Sequence, residues 1–308
     1  MTSFRYRDKG TLVHRLNPLS KITWALSVLV LTLVLDNPVF LLAVFLSTLP
    51  VVQAARVWGE WRATMKYTVM LCAVVVLINA LVSSNGSHVM ATAPFSIPLT
   101  GTPVITLEAI AYGAAMALRL IAIISAFAIL TFTVNPDDMM LAMLKMKLPY
   151  KSVLVTSLST RFIPTLIDDT KRITDAHRSR GVRLDTGSLK QRIRSRSLIV
   201  IALLSNSLDR SVQVAEAMES RAFGSGDSRS YYKDIRLTVT DVFTVVFAIL
   251  PGALGIFMGV SGYGQFQYYP TLGQLGLNVT ERYLLMLAEV LLLSILPLVG
   301  IKRRRDID

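Results

Sequence analysis

The chain has 308 residues, 53% of them apolar, with a formal net charge of +12 and a mean hydropathy of +0.53. A soluble domain needs more surface charge than this, and basic proteins that bind nucleic acid are far less apolar. The composition therefore excludes both classes and indicates a membrane protein with basic cytoplasmic segments. The single cysteine, Cys72, lies in an apolar run and excludes an intramolecular disulfide.

Six apolar segments are long enough to cross a bilayer about 30 Å thick, which takes roughly 20 helical residues. They lie at 20–36, 38–54, 66–83, 106–133, 240–261 and 282–300. The first two are short and are separated by Asp36-Asn37-Pro38, a turn signal, so they predict a membrane hairpin.

Lys and Arg are distributed unevenly over the connecting segments. They number five in 1–21, three in 55–66, eighteen in 134–239, four in 301–308 and none in 84–105. Because basic residues accumulate on the cytoplasmic side, both termini and the long segment 134–239 are predicted to be cytoplasmic. The even number of spans agrees with this topology.

The chain is therefore divided into four spans at 1–133, a cytoplasmic segment at 134–239, and two spans with a basic tail at 240–308. Three helices are predicted in the cytoplasmic segment. The first begins at Asn135-Pro136, the second runs from about 150 to 180 and ends at Gly181, and the third runs from about 195 to 223 and stops at Gly224.

Four local features of this segment carry further predictions. Pro164 predicts a kink or a restart of the second helix. Asp168 and Asp169 are interpreted as a solvated helix face, and 182–196 as a polar stretch between helices. The apolar run 198–204 is too short for a span and predicts an amphipathic helix at or beneath the membrane, with an additional span as the alternative.

Two similar basic signatures end the second and third cytoplasmic helices. They are Ser179-Arg180-Gly181 and Ser220-Arg221-Ala222, with the two arginines 41 positions apart. Arginine before a helix-ending glycine can be ordinary capping, favoured by about 0.3–1 kcal/mol. Its repetition beneath a membrane core favours docking instead, because the planar guanidinium binds carboxylates well at interfaces.

The stretches RFIPTLIDDTKRITDAHRSRG at 161–181 and AEAMESRAFG at 215–224 resemble the T component of energy-coupling factor (ECF) transporters, the EcfT/CbiQ/BioN family. LVHRLNPLSKI at 12–22, ALRLIAI at 117–123 and TFTVNPDDMMLAML at 131–144 are similar to other parts of that family. The family is marked by two Ala-Arg-Gly signatures at the tips of two long coupling helices.

The resemblance implies an all-α polytopic membrane protein with about six transmembrane helices and cytoplasmic coupling helices, two of them long and crossed. It implies a scaffold in a prokaryotic cell membrane that couples two ABC ATPase subunits to one separate substrate-binding (S) subunit, for vitamin or metal-ion uptake without a cofactor. ATP hydrolysis is expected in the partner chains, because this sequence has no G-x-x-x-x-G-K-[ST] phosphate loop.

By position, the resemblance makes Arg180 and Arg221 the ATPase-docking arginines. Their docking neighbours are Ser179, Gly181, Ser220, Ala222, Phe223 and Gly224. Two serines and one alanine replace residues of the family signature but keep the side chains small. Phe223 and Gly224 are expected to move the end of the second tip two residues on, and the apolar faces of 139–158 and 198–212 to support the S subunit.

Two charged residues lie well inside the predicted spans, away from their ends, Arg119 and Glu289. Such residues usually face protein or water, so we predict that Arg119 faces the bundle interior, with an ion pair to Glu289 as a hypothesis. The alternative function is a stand-alone channel or secondary transporter, which would place ionisable residues along several spans. A membrane enzyme is disfavoured because the sequence shows no paired-acid motif and no metal-ligand spacing.

Overall fold

The computed structural model describes residues 9–83, 86–92, 104–135, 138–140, 142, 149–182, 188–225, 239–273 and 276–294. The chain divides into two compact units. The first unit combines 1–139 with 236–308, and the second unit is 140–235.

Within the described residues the chain is almost entirely helical. In chain order the elements are α1 (Leu12–Arg15), α2 (Pro18–Val34), α3 (Pro38–Ala55), α4 (Trp58–Val82), β1 (Val89–Thr92), β2 (Val104–Thr106), α5 (Leu107–Thr133), α6 (Tyr150–Ser179), α7 (Leu189–Ser220), α8 (Val239–Val260) and α9 (Val279–Leu293). The two short strands form an antiparallel ribbon. Helices α6 and α7 belong to the second unit, and the other elements belong to the first. The all-α prediction is confirmed.

Helices α2 and α3 form the predicted hairpin, and both begin in the same way. The Asn17 side chain accepts the N–H of Leu19 at 3.0 Å, and the Asn37 side chain accepts the N–H of Val39 at 2.9 Å. A proline occupies the first helical position in each case, where its missing N–H has no cost. The Asn-Pro pairs therefore determine where both helices begin.

A row of glycines lets α8 pack closely against α2. A Cβ built on Gly255 would lie 2.7 Å from Cδ2 of Leu31, and one on Gly259 would lie 2.2 Å from Cγ1 of Val34. Small residues allow the backbones of two membrane helices to approach closely. The resulting van der Waals packing holds the helices together, because lipid is as apolar as the helix surface and gives no hydrophobic driving force. The glycine spacing therefore determines which face of α8 meets α2.

Buried polar side chains join the remaining helices of the first unit. The Ser125 hydroxyl on α5 contacts the Thr48 hydroxyl on α3 at 2.8 Å and accepts the indole N–H of Trp61 on α4 at 2.9 Å. The indole of Trp24 on α2 donates to the carbonyl of Leu292 on α9 at 3.2 Å. Because these groups satisfy one another, they can be buried without a large desolvation cost.

Five helices within the described residues are long and apolar enough to cross a membrane: α3, α4, α5, α7 and the 241–260 part of α8. Helix α2 is apolar but has 17 residues. The predicted last span begins in α9, and its end at 300 lies outside the described residues. Helix α7 qualifies by length and composition, although the sequence analysis predicted that its apolar run lies at or beneath the membrane.

The second unit differs from the prediction at the start of α7. Helix α6 continues through Pro164, so it does not restart there, and the kink stays a prediction. Helix α7 begins at Leu189, so most of the predicted polar stretch 182–196 is helical. The reason is a capping box, in which the Ser188 hydroxyl accepts the N–H of Gln191 at 3.4 Å and the side-chain amide oxygen of Gln191 accepts the N–H of Ser188 at 3.1 Å. Most of the predicted helix after Asn135 lies outside the described residues.

Candidate functional site at two helix tips

Helix α6 ends in a closed turn that exposes Arg180. The arginine has φ −84° and ψ 8°, and the next residue, Gly181, has φ +80°. The N–H of Gly181 donates to the carbonyl of Arg178 at 2.9 Å, and the N–H of Val182 donates to the carbonyl of His177 at 3.1 Å. These two bonds form a Schellman motif, which satisfies carbonyls that the helix end would otherwise leave open.

Helix α7 ends in the same motif around Arg221. The arginine has φ −91° and ψ 14°, and Ala222 follows with φ +55°. The N–H of Ala222 donates to the carbonyl of Glu219 at 2.8 Å, and the N–H of Phe223 donates to the carbonyl of Met218 at 2.9 Å. The two tips therefore have the same backbone geometry, with arginine at the C-cap position and a left-handed residue directly after it.

This geometry corrects one prediction about the second tip. Phe223 and Gly224 do not move the helix end two residues on, because Ala222 itself takes the left-handed conformation that closes the helix. Gly224 then bends the chain again with φ +92°. All the predicted docking residues are exposed, namely Ser179, Arg180, Gly181, Ser220, Arg221, Ala222, Phe223 and Gly224.

A charged cluster joins α6 and α7 before their tips. The Asp169 carboxylate on α6 accepts hydrogen bonds from Arg172 on the same helix and, at 2.8 Å, from Arg210 on α7. Asp169 is 5% exposed. Burial alone would raise the pKa of Asp169, but the two guanidinium groups outweigh it and hold that pKa below its ordinary value of 3.8.

The prediction of a solvated acidic face is therefore wrong for Asp169 and holds for its neighbour. The side chain of Asp168 is 70% exposed and contacts only a helix neighbour, Lys171, at 3.4 Å among the described ion pairs. One position of difference on a helix rotates a side chain by about 100°, which is enough to separate a solvent-facing carboxylate from one at a helix–helix contact.

Arg119 faces protein, as predicted, but its partner is not Glu289. The guanidinium donates to the Asp36 carboxylate at 2.6 Å and to the carbonyl of Leu35 at 3.0 Å, at the turn of the α2–α3 hairpin. The Tyr268 hydroxyl donates to the carbonyl of Asp36 at 2.7 Å. Arg119 thus joins α5 to the hairpin turn, and Glu289 lies half-buried on α9.

The sequence analysis missed a structural role for Lys21, which it counted only as a cytoplasmic charge. The side chain is buried on α2 and donates to the carbonyl of His14 at 3.0 Å and to that of Thr133 at 2.8 Å. Thr133 is the last residue of α5, so the cation lies at the negative end of that helix dipole. The lysine thereby fixes the end of α5.

Among the described residues, no group of three His, Cys, Asp or Glu side chains could hold a metal ion. His88 forms a local pair instead, with its Nδ1 2.7 Å from the buried Glu108 carboxylate, which also accepts from Ser87 at 3.0 Å. This pair joins the β1 segment to the start of α5.

Comparison with known proteins agrees with the motifs. A family model described as "CbiQ: Cobalt transport protein" matches residues 9–232. The chain belongs to this family. The transmembrane protein EcfT of an energy-coupling factor transporter from Streptococcus thermophilus is 31% identical over 263 residues, 82% of this chain and 96% of the relative. EcfT of Bacillus selenitireducens is 29% identical over 259 residues, 81% and 94% of the two chains.

A further relative is named as a different kind of protein. A putative ABC transporter ATP-binding protein of Bifidobacterium longum is 28% identical over 250 residues, which make up 78% of this chain and 31% of that protein. The resemblance to ECF T components is confirmed by these matches. The member described here is a transmembrane component of an energy-coupling factor transporter, and hence a transporter subunit and not an enzyme.

Proposed function

We propose that this transmembrane component docks two ABC ATPase subunits with its two helix tips and transmits their motion to a separate substrate-binding S subunit. The observation that carries the proposal is the pair of matched tips. Arg180 and Arg221 each occupy the C-cap position directly after a long helix, in the same closed turn and exposed to solvent. Two helix tips with the same geometry fit two ATPase subunits, with one tip bound to each.

The chemistry of the tips favours a groove that carries carboxylates. Each guanidinium offers five N–H donors in a planar fork that can hold a carboxylate through two parallel bonds. The residues on both sides of the arginines are small, namely Ser179, Gly181, Ser220 and Ala222, so a helix tip can enter a narrow groove. Support for ABC partners comes from the Bifidobacterium protein, where a similar segment belongs to a chain named as ATP-binding.

The S subunit would bind the apolar surface of the same two helices. Val155, Ile163 and Ile167 on α6 are between 51% and 63% exposed. On α7, Val200 and Ile201 lie in an exposed apolar run that continues through Leu204 and Leu208. Large apolar side chains left open in this way indicate a surface for a partner or for lipid. The transported compound, a vitamin or a metal ion, would be held by the S subunit.

The proposed setting is the cell membrane of a prokaryote, with both termini and the two tips on the cytoplasmic side. The distribution of Lys and Arg supports this orientation, because 134–239 carries eighteen of them and 84–105 carries none. ATP hydrolysis would occur in the partner ATPases, which are cytoplasmic.

The test is co-expression of this chain with two ABC ATPases from the same genome and purification through a tag on this chain. We expect both ATPases to co-purify in detergent and to hydrolyse ATP in the complex. The chain purified alone should show neither ATP hydrolysis nor substrate transport in liposomes. Transport by the isolated chain would contradict the proposal and support the channel or secondary-transporter alternative.

A further inference from the structure

The ion pair between Asp169 and Arg210 lies at the same distance from both tips. Asp169 precedes Arg180 by eleven residues, and Arg210 precedes Arg221 by eleven residues. With about 1.5 Å of rise per residue, each tip lies roughly 16 Å along its helix from this contact. The two helices therefore extend equal arms from their junction to the two tips.

The junction between the two helices is centred on the Asp169 carboxylate, which two arginines hold in one position. Both oxygens of the Asp169 carboxylate are used, one by Arg172 and the other by Arg210. The carboxylate is 6% exposed and the Arg210 side chain is 30% exposed, so the bond between the two helices is partly shielded from water, whereas the Arg172 side chain is 76% exposed. A buried carboxylate held by two guanidinium groups is costly to separate, because separation leaves an uncompensated charge.

The junction also divides the helix pair into two chemically different halves. Among the side chains of α6, α7 and the second tip whose burial is described, twelve large apolar ones are exposed. Ten of these twelve lie before the junction, and the other two, Val212 and Phe223, lie on the tip side. An open cleft of about 510 Å³ borders the junction itself and is lined by Asp169, Arg172 and Arg210 together with Ile173, Asn206 and Gln213, among others. One half thus suits an apolar partner and the other half suits ATPase docking.

We propose that Asp169 is a positioning residue that acts through Arg210 as the pivot between the two coupling helices. The proposal rests on the docking function proposed above. When two bound ATPases change the separation of the tips, the pivot turns that change into movement of the opposite, apolar arms. The arms before the junction are 19 residues long in α6 and 21 in α7. Rigid arms would therefore multiply the displacement of the tips about 1.8-fold.

The experiment measures movement of the apolar arms in the assembled complex. Spin labels are placed at Lys151→Cys and Leu189→Cys in a Cys72→Ser background, and the complex with both ATPases is reconstituted in nanodiscs. Pulsed electron resonance then compares the distance between labels without nucleotide and with ATP plus vanadate. We expect a clear nucleotide-dependent change with the native junction, and less than half of that change in Asp169→Asn.

Asp168→Asn is the matched control, because it removes the same charge one position away on the exposed face and should leave the change intact. Arg210→Lys, which keeps the charge, should retain most of the change, whereas Arg210→Gln should lose at least half of it. These two variants decide the question if Asp169→Asn does not assemble. A full change in Asp169→Asn or Arg210→Gln would overturn the pivot. Failure of the native chain to bind the ATPases would contradict the docking function instead.

Discussion

Ala222 takes the same left-handed backbone conformation as Gly181, at the equivalent position of the second helix tip. Glycine adopts this conformation without cost, whereas a side chain with a Cβ is disfavoured by roughly 1–2 kcal/mol. The second tip therefore keeps the geometry of the first at some expense in stability. The two Schellman hydrogen bonds donated by the N–H groups of Ala222 and Phe223 hold Ala222 in this conformation.

Exchanging these residues should change tip stability in opposite directions. Ala222→Gly is expected to stabilise the second tip by about 1 kcal/mol, and Gly181→Ala to destabilise the first by about as much. No heavy atom lies within 4 Å of a Cβ built at Gly181, so the cost there comes from the backbone alone. Hydrogen exchange of the last turns of α6 and α7 measures both effects. Ala217→Gly, inside α7, is the control and should destabilise.

Loss of the Lys21 ammonium should weaken the first unit. Lys21→Met keeps an unbranched side chain one atom shorter but leaves the carbonyls of His14 and Thr133 without this donor. A buried acceptor that loses its partner costs about 1–3 kcal/mol, so the unfolding temperature in detergent should fall. Lys66→Met, at an exposed position of α4, serves as the control. An equal loss from both variants would argue against a specific role for Lys21.

Arg119 and Asp36 should be energetically coupled, whereas Arg119 and Glu289 should not. Residues that share an ion pair give non-additive changes in the free energy of unfolding, here by about 1 kcal/mol because Asp36 is partly exposed. The measurement is a double-mutant cycle with Arg119→Gln, Asp36→Asn and Glu289→Gln in the same detergent. Additive behaviour of the Arg119 and Asp36 variants would contradict the contact.

The stability of the α6–α7 pair should depend on pH through Asp169. The pKa of Asp169 is lowered in the folded state, so its stabilising effect is complete above about 3.8 and is lost as the pH falls through the lower folded value. Thermal unfolding followed between pH 7 and pH 2 should therefore show a loss at the acid end. Asp169→Asn should be less stable at pH 7 and should lack that part of the pH dependence.

The positions of the helices followed from the sequence because they depend on local signals. Apolar length predicted 106–133 for a helix observed at Leu107–Thr133, and Asn37-Pro38 marked the start of α3, whereas α2 begins at Pro18, two residues before the predicted 20. The start of α4 was placed eight residues too late, since its first two turns carry Glu60 and Arg62 and have no apolar run. The capping box at Ser188 and Gln191 was the available signal for the start of α7.

The contacts between helices could not be predicted in the same way. Arg119 reaches Asp36 only because the short hairpin places its turn beside the middle of α5, and Lys21 reaches Thr133 across 112 positions of sequence. Hydropathy identifies the helices but not which faces meet. The one available hint was the spacing of 41, which Asp169 and Arg210 share with the two tip arginines.

The most direct test of the account is the number of ATPase chains that co-purify with tip variants. Arg180→Glu combined with Arg221→Glu should remove both ATPases. The introduced glutamates would repel the carboxylates of the proposed ATPase grooves, so the tips could no longer bind there. The control, Arg192→Glu combined with Arg194→Glu, makes the same change in charge at exposed positions near the start of α7 and should retain both ATPases. Native mass spectrometry counts the bound chains. An intact complex in the Arg180 and Arg221 double variant would contradict docking through the tips.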